Sequence, residues 1–394
     1  MMKYNGIVIS DIHFGVIDPD QLRNELVKSF IYYLENMKKI DFIVITGDYF
    51  DHKIYVNDRT SDYALSFMNT LVRIAKAHHC PIRIIYGTES HEVNQYNIFS
   101  IYEKDDDIDF KVIYTVQEEE LLKDLHVLYL PEEYMYNKKE YYKEYFDNKG
   151  KYNYVFGHGI IQEVMTYVTR QSNKESTRKK VPHFTTAELD SICKGQVYFG
   201  HYHINTSIQD KIFYVGSFSR WIHGEMEPKG FYHITCDLDK EKYKQKFIEN
   251  TFCKKYITYS YSYSAKAMES EEELLKELDK KDKLIEYENV DNVKFIFNIP
   301  ENHPNPEFII NILHERYRLQ DNIKVDVTNG YVEKKKRINK EKLNDVMLEY
   351  AIVFDKSVQL EDKVVYFIKK MWDKEVPLEN VKRYLYGNNE TDNT

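Results

Sequence analysis

A layered α/β fold, followed by a smaller α/β domain, is what this 394-residue sequence predicts. Three observations carry that expectation. Short apolar runs alternate with longer segments of helical periodicity through the first half. Five of the runs close on a glycine or a tight polar turn that carries Asp or His. After about Lys240 the pattern changes to a separate β-α-β-α-β run, then a charged linker and amphipathic stretches.

The elements follow in order. Residues 6–10 read as a buried strand, with a loop at 11–15. Residues 21–39 place Leu22, Leu26, Phe30, Tyr33, Leu34 and Met37 at helical spacing. Residues 41–46 form the next strand, ending at Gly47 and Asp48. A helix over 61–78 leads to a strand over 82–86, closed by Gly87. The same strand-then-turn pattern recurs at 154–156 before Gly157 and His158, and at 196–199 before Gly200 and His201. In layered α/β folds ligands collect where such strand ends converge. Residues 169–180 are polar and read as an exposed loop. Its Arg170, Lys174, Arg178, Lys179 and Lys180 suit a phosphate backbone, a merely solvated loop being the equal alternative. Farther on, strands at 256–263, 292–299 and 322–328 alternate with helices at 271–278 and 306–318. Lys334 to Arg337 mark the linker, and residues 340–354, 360–372 and 378–386 are amphipathic. The polar tail, 387–394, reads as disordered.

Composition narrows the function. A net charge of -9 argues against a broad nucleic-acid surface, because phosphates are held mainly by Lys and Arg. Bound cations, local basic patches or a partner subunit would relieve that objection. Cys80, Cys193, Cys236 and Cys253 are widely spaced with no C-x-x-C pair, and read as reduced, mostly buried thiols. No apolar run reaches the ~18 residues of a membrane span, and no basic-then-apolar leader precedes the first strand. The expected location is the cytoplasm. The 35 tyrosines suit base stacking or, on the plainer reading, core and interface packing.

Five motifs carry the chemistry: Asp11-Ile-His13; Gly47-Asp48-Tyr-Phe-Asp51; Gly87-Thr88-Glu89-Ser90-His91-Glu92; Gly157-His158; and Gly200-His201-Tyr-His203. Carboxylate and imidazole donors together suit Mn, Fe or Zn. Asp11 and His13 are two apart, so in an extended segment both point to one side, as do His201 and His203. An aspartate such as Asp48 can bridge two cations. Such a pair activates water and stabilises both oxygens of a displacement on phosphorus, while an imidazole outside the ligand set protonates the leaving oxygen. Each motif alone is weak, since a lone histidine after a strand is more often structural. The ordered set, each at a strand end, is specific.

These motifs resemble those of the calcineurin-like metallophosphoesterase superfamily, and within it the SbcD-type nuclease subunit of bacterial and phage DNA-repair complexes. A second block is similar too: Tyr214-Val-Gly-Ser-Phe-Ser-Arg220, then Gly224-Glu225 and Lys229-Gly-Phe-Tyr232. The resemblance covers residues 7 to about 234. It implies a four-layer α/β/β/α sandwich over 1–240, an α/β DNA-binding cap over 241–332, and a linker with helical ATPase-binding segment over 333–394. It implies two divalent cations, manganese foremost, the first held by Asp11, His13, Asp48 and His203 and the second by Asp48, His158 and His201. His91 matches the catalytic histidine, and Asp51 and His52 lie near the scissile phosphate. The third motif departs from the family's Gly-Asn-His-Asp/Glu. Ser90 takes the asparagine position when His91 is the anchor and Thr88 when Gly87 is, with Glu89 or water as further alternatives.

The implied function is DNA exo/endonuclease in end processing, double-strand-break repair or recombination, with an SbcC-type coiled-coil ATPase, in a bacterial or phage-infected cytoplasm. Arg220, Arg170 and Lys179 are the expected DNA contacts, Arg220 holding its turn by a carboxylate on the equal alternative. His223 is a lesser candidate for the site. Tyr63, Phe67, Leu71, Ile98 and Tyr102 lie where the family forms homodimers, or else pack on their own sheet. The competing functions are a phosphatase or small-substrate phosphodiesterase, and a DNA-binding scaffold with a degenerate site.

Overall fold

The computed structural model describes residues 2–55, 57–134, 137–164, 183–223, 225, 227–262, 270–282, 292–299, 311–312, 315–316, 323–329, 365 and 376–386. Among the described residues seventeen strands run in order: β1 (Lys3–Ile9), β2 (Phe42–Ile45), β3 (Ile82–Ile85), β4 (Phe110–Ile113), β5 (Gln117–Leu122), β6 (Leu125–Leu130), β7 (Tyr152–His158), β8 (Ile160–Ile161), β9 (His183–Phe184), β10 (Cys193–Gly200), β11 (Thr206–Ile208), β12 (Ile212–Tyr214), β13 (Gly230–Asp237), β14 (Lys242–Glu249), β15 (Tyr256–Ser262), β16 (Asn292–Ile299) and β17 (Ile323–Asn329).

Two six-stranded sheets face each other. The first has the order β14-β13-β1-β2-β3-β4 and the second β11-β12-β10-β7-β6-β5. Strands β1 to β4 are parallel, with Gly6 opposite Phe42 and Ile43 opposite Ile82. Strands β6, β7, β10 and β12 are likewise parallel, and antiparallel strands finish the edges.

Alternation along each strand sorts the side chains into layers. Val8, Phe42, Val44 and Ile85 of the first sheet meet Val127, Tyr129, Tyr154, Phe156 and Tyr198 of the second. Ile7, Ile9, Ile43 and Ile45 face outward onto Leu22, Phe30, Phe67 and Leu71 of the helical segments. On the far side Leu128, Val155, Val197 and Phe199 pack on Leu189 and Ile192. The result is the α/β/β/α sandwich that the sequence implied. Part of the tyrosine excess goes into this core: Tyr129, Tyr154 and Tyr198 are fully buried between the sheets. All four cysteines are free and buried.

Helical backbone runs from Pro19 to Glu35, with a π-helical turn at Leu26–Ile31. Asp18 caps it by accepting from the Gln21 amide, and Pro19 stands in the first turn, where no N–H partner is needed. The helix Arg59–His78 starts on the Asp58 cap and stops at His79 in the left-handed conformation. Phe67, Leu71 and Tyr102 are core residues, so of the five expected at a dimer contact Ile98 is the exposed one, while Tyr63 bonds Asp20.

Strands β15, β16 and β17 form a three-stranded sheet in that order, and Glu271–Asp282 is helical. The expected helix at 306–318 is described at four positions, 311, 312, 315 and 316, all helical. Helix Leu378–Tyr386 is present. The linker at 334–337, the stretch 340–354, all but residue 365 of the stretch 360–372, and the tail lie outside the described residues. The chain divides into two compact units, one of Met1–Ser260, Leu274–Ile296 and Leu313–Asp326, the other of Tyr261–Glu273, Phe297–Ile312 and Val327–Thr394. Among the described residues no helix is long and apolar enough to cross a membrane.

Candidate metal centre

Polar residues cluster where the carboxyl ends of parallel strands from both sheets meet. Asp11 and His13 follow β1, Asp48 follows β2 and Thr88 follows β3. From the second sheet Glu132 follows β6, His158 ends β7, and His201 and His203 follow β10. The backbone there is strained rather than extended: Asp11, His13, Asp48 and His201 all have positive φ, at 46°, 51°, 48° and 101°. Asp11 and His13 therefore reach one centre by a curled loop, not by strand alternation. That loop is held by its neighbour, with the Asp11, His13 and Phe14 amides donating to the carbonyls of Gly47, Asp48 and Tyr49.

Glycine makes the approach of the strand ends possible. At Gly47, φ is +88° and an added Cβ would lie 2.2 Å from His158 Nδ1. Glu92 is buried beneath the same loop and accepts from the Tyr49 amide at 2.9 Å and from the Tyr96 hydroxyl at 2.6 Å. Burial, with the Asp48 carboxylate nearby, pushes the Glu92 carboxyl up to about 8.

The donors fall into two groups joined by Asp48. Asp11, His13 and His203 form the first: His13 Nε2 is 3.2 Å from His203 Nε2, and each lies 3.9 Å from Asp11 Oδ1. Glu132, His158 and His201 form the second, with Glu132 Oε2 3.1 Å from His201 Nδ1 and 3.9 Å from His158 Nε2. Asp48 Oδ2 stands between them, 3.6 Å from His13 Nε2 and 3.3 Å from His158 Nε2. The Thr88 amide donates to Asp48 Oδ1 at 2.6 Å, and His91 Nδ1 pairs with Asp48 Oδ2 at 2.9 Å.

These residues fit divalent cations. Asp11, Asp48 and Glu132 are buried carboxylates, and among the described residues no lysine or arginine pairs with them. His201 Nδ1 is buried without a hydrogen-bond partner. Burial works against charge on His13 and His158, yet the surrounding carboxylates outweigh it and hold both up at about 10. Burial likewise opposes charge on Asp48, but His158, His91 and His13 keep it well below the usual carboxylate range. A divalent cation would compete for these same lone pairs, satisfying donors that otherwise depend on protons.

The model of the calcineurin-like phosphoesterase family matches residues 7–205, half of the chain, a range that contains every donor from Asp11 to His203. The chain belongs to the calcineurin-like phosphoesterase family. Members of this family are metal-dependent phosphoester hydrolases, and its fold uses divalent metals. No curated protein matches the chain. Among solved structures 42 chains match; one crystal structure aligns over 63% of this chain and 100% of its own, at 11% identity and a TM-score of 0.30.

Several expected residues sit elsewhere in this phosphoesterase than the motifs suggested. Asp51 Oδ1 lies 3.3 Å from His13 Nδ1, behind the imidazole, where it orients the ring. His52 is exposed and pairs with Asp51. Ser90 and Glu89 are exposed and outside the donor groups, whereas Thr88 Oγ1 lies 3.1 Å from Glu132 Oε2 and 3.4 Å from His158 Nε2. Arg220 is buried and donates to the carbonyls of Glu225 and Glu227 at 3.0 and 2.7 Å, so its guanidinium holds its own turn. The ring of His223 packs on Tyr256. Arg170 and Lys179 lie outside the described residues.

Glu132 and Trp221 escaped the sequence reading, and Lys229 was read there only as part of a block, without a role. Glu132 follows an apolar run and Pro131, a strand-end signal of the kind used for the other donors. Trp221 sets its ring 5.1 Å from His13 and 4.8 Å from His203, walling the first group. Lys229 is buried, pairs with Glu225 and donates to the His203 carbonyl at 2.7 Å. It explains why the Gly-Glu and Lys-Gly-Phe block accompanies the last histidine motif.

Proposed function

We propose that this phosphoesterase is a two-cation phosphodiesterase acting on DNA, the nuclease subunit of an end-processing complex. The observation that carries the reading is the position of Asp48, whose Oδ2 lies within 3.6 Å of imidazole nitrogens from both donor groups. We assign Asp11, His13, Asp48 and His203 to one cation and Asp48, His158 and His201 to the other, manganese being suited to mixed oxygen and nitrogen donors. Such a pair would supply Lewis-acid charge and an activated water. Asp51 and the Thr46 carbonyl orient His13 and His158. His91 is the most exposed of the five imidazoles at 32% and stands 2.9 Å from Asp48, a place from which it can serve as general acid for the leaving 3′ oxygen.

Three features support DNA as substrate. The Gly-Ser-x-x-Arg block resembles that of SbcD-type subunits, Trp221 offers a flat ring for a nucleobase beside the first group, and the small sheet suits a cap. On this reading residues 1–240 are the nuclease domain, 241–332 the DNA-binding cap, and 333–394 the segment that engages an SbcC-type ATPase. Arg170 and Lys179 would touch the backbone, and two copies would pair through the face carrying Ile98. A phosphatase or small-substrate phosphodiesterase is favoured by one observation, the net charge of -9.

The test is manganese-dependent cleavage of linear and hairpin DNA by the wild type, His91→Ala and Asp48→Ala. Cleavage by the wild type, abolished by Asp48→Ala and strongly slowed by His91→Ala, is expected. Hydrolysis of p-nitrophenyl phosphate with no DNA cleavage would replace the nuclease reading by the phosphatase one.

A further inference from the structure

Glu132 lies in a position that no surface acid would tolerate. Its side chain is fully buried, at the end of β6, and burying a carboxylate is costly unless it is paired. Its partners are uncharged donors or imidazoles: the Tyr134 hydroxyl on Oε1 at 2.9 Å, the Thr88 hydroxyl on Oε2 at 3.1 Å, and His201 Nδ1 at 3.1 Å. The last approach lacks hydrogen-bond geometry, since His201 Nδ1 has no hydrogen-bond partner. A carboxylate oxygen and a ring nitrogen held at ion-pair distance but off the hydrogen-bond axis are two donors aimed at a common point. His158 Nε2 faces the same point, 3.9 Å from Glu132 Oε2, with its Nδ1 fixed on the Thr46 carbonyl at 2.7 Å.

We infer that Glu132 is a ligand of the second cation, with Thr88 acting as a positioning residue. The Thr88 hydroxyl lies within bonding distance of both Asp48 Oδ2, at 3.3 Å, and Glu132 Oε2. It has a single proton, so it steadies one carboxylate at a time while keeping the two apart. The inference rests on the two-cation reading and deepens it. With Asp48 and Glu132 the second site carries two carboxylates beside two imidazoles, neutralising a divalent charge. Such a set holds hard cations, Mn(II) above all, more firmly than a site completed by a hydroxyl or amide would.

The experiment is titration of metal-stripped full-length chain with Mn(II), following free Mn(II) by electron paramagnetic resonance. Two bound ions are expected for the wild type and for Ser90→Ala. For Glu132→Gln one ion should remain tight and the other weaken by about 100-fold. Two ions bound by Glu132→Gln at wild-type affinity would overturn the inference and leave the two-cation reading standing. Fewer than two bound by the wild type would overturn both. Glu132→Cys guards against a variant that loses the site by misfolding. Cadmium added to it should raise a thiolate-to-cadmium charge-transfer band absent from the wild type. A folded Glu132→Cys protein that binds cadmium without that band would also overturn the inference.

Discussion

His158 Nδ1 meets the Thr46 carbonyl at 2.7 Å, a bond from the end of β7 in one sheet to the residue after β2 in the other. A carbonyl only accepts, so the proton is fixed on Nδ1 and Nε2 is turned to Asp48 and Glu132. His158→Gln, which cannot repeat both contacts, is expected to weaken divalent-cation binding by at least about 10-fold. Calorimetric titration with Mn(II) measures it, and unchanged affinity would remove His158 from the ligand set.

Gly47→Ala tests the close approach of the strand ends. Positive φ and a Cβ contact of 2.2 Å with His158 Nδ1 combine there, and the expected loss of stability is about 3 kcal/mol. Gly150 also has positive φ, at +60°, but nothing lies within 4 Å of an added Cβ. Gly150→Ala should therefore cost only about 1 kcal/mol. Urea unfolding of the two variants compares them; equal losses would show that the crowding at Gly47 is without effect.

Acid should weaken the fold through Arg83. This buried guanidinium on β3 donates to both oxygens of Glu119 on β5, at 2.9 and 2.6 Å, and pairs with Asp109 at 2.8 Å. Burial pushes the Glu119 carboxyl up, but the hydrogen bond and charge of Arg83 outweigh it and hold the group below its ordinary 4.5. A carboxyl depressed in the folded state contributes stability above its unfolded value, which is lost as pH falls through the folded one. The urea midpoint should thus fall below about pH 4.5, with a shallower fall in Glu119→Gln. Parallel curves for the two proteins would contradict this.

Arg220→Lys separates a role in the turn from a role on DNA. Lysine has no fork to serve the Glu225 and Glu227 carbonyls together. A loss of about 2–3 kcal/mol in urea unfolding is expected, with the slope of log affinity for DNA against log salt unchanged. A slope lower by about 1 with stability intact would mean that Arg220 touches a phosphate.

The donors were legible because each follows a buried apolar run closed by glycine or a tight turn, which is a local signal. The helix at Arg59–His78 was legible for the same reason, its apolar stripe being continuous. Glu132 was not. It follows an apolar run as the other donors do, but beside Glu133 it reads as a surface acid, and its burial follows from where β6 lies between β5 and β7. For Arg220 the sequence left two readings level, because the carbonyls that its guanidinium meets come from residues several positions on. The curled backbone at Asp11, His13 and Asp48 was invisible too, because non-glycine residues seldom adopt positive φ unless the surroundings impose it. Position in sequence also could not choose between Ser90 and Thr88; the short helix Glu89–Glu92 turns the first outward and leaves the second inside.

The donors of each group come from both sheets: Asp11 and His13 with His203, and Asp48 with His158, His201 and Glu132. A cation in either group would therefore act as a rivet between two halves that otherwise meet at that rim through hydrogen bonds such as His158 to the Thr46 carbonyl and Thr88 to Glu132. Loading and mechanical cohesion become one property, so chelation should loosen amide protection at the ends of β2 and β7 together while the middle of each sheet stays closed.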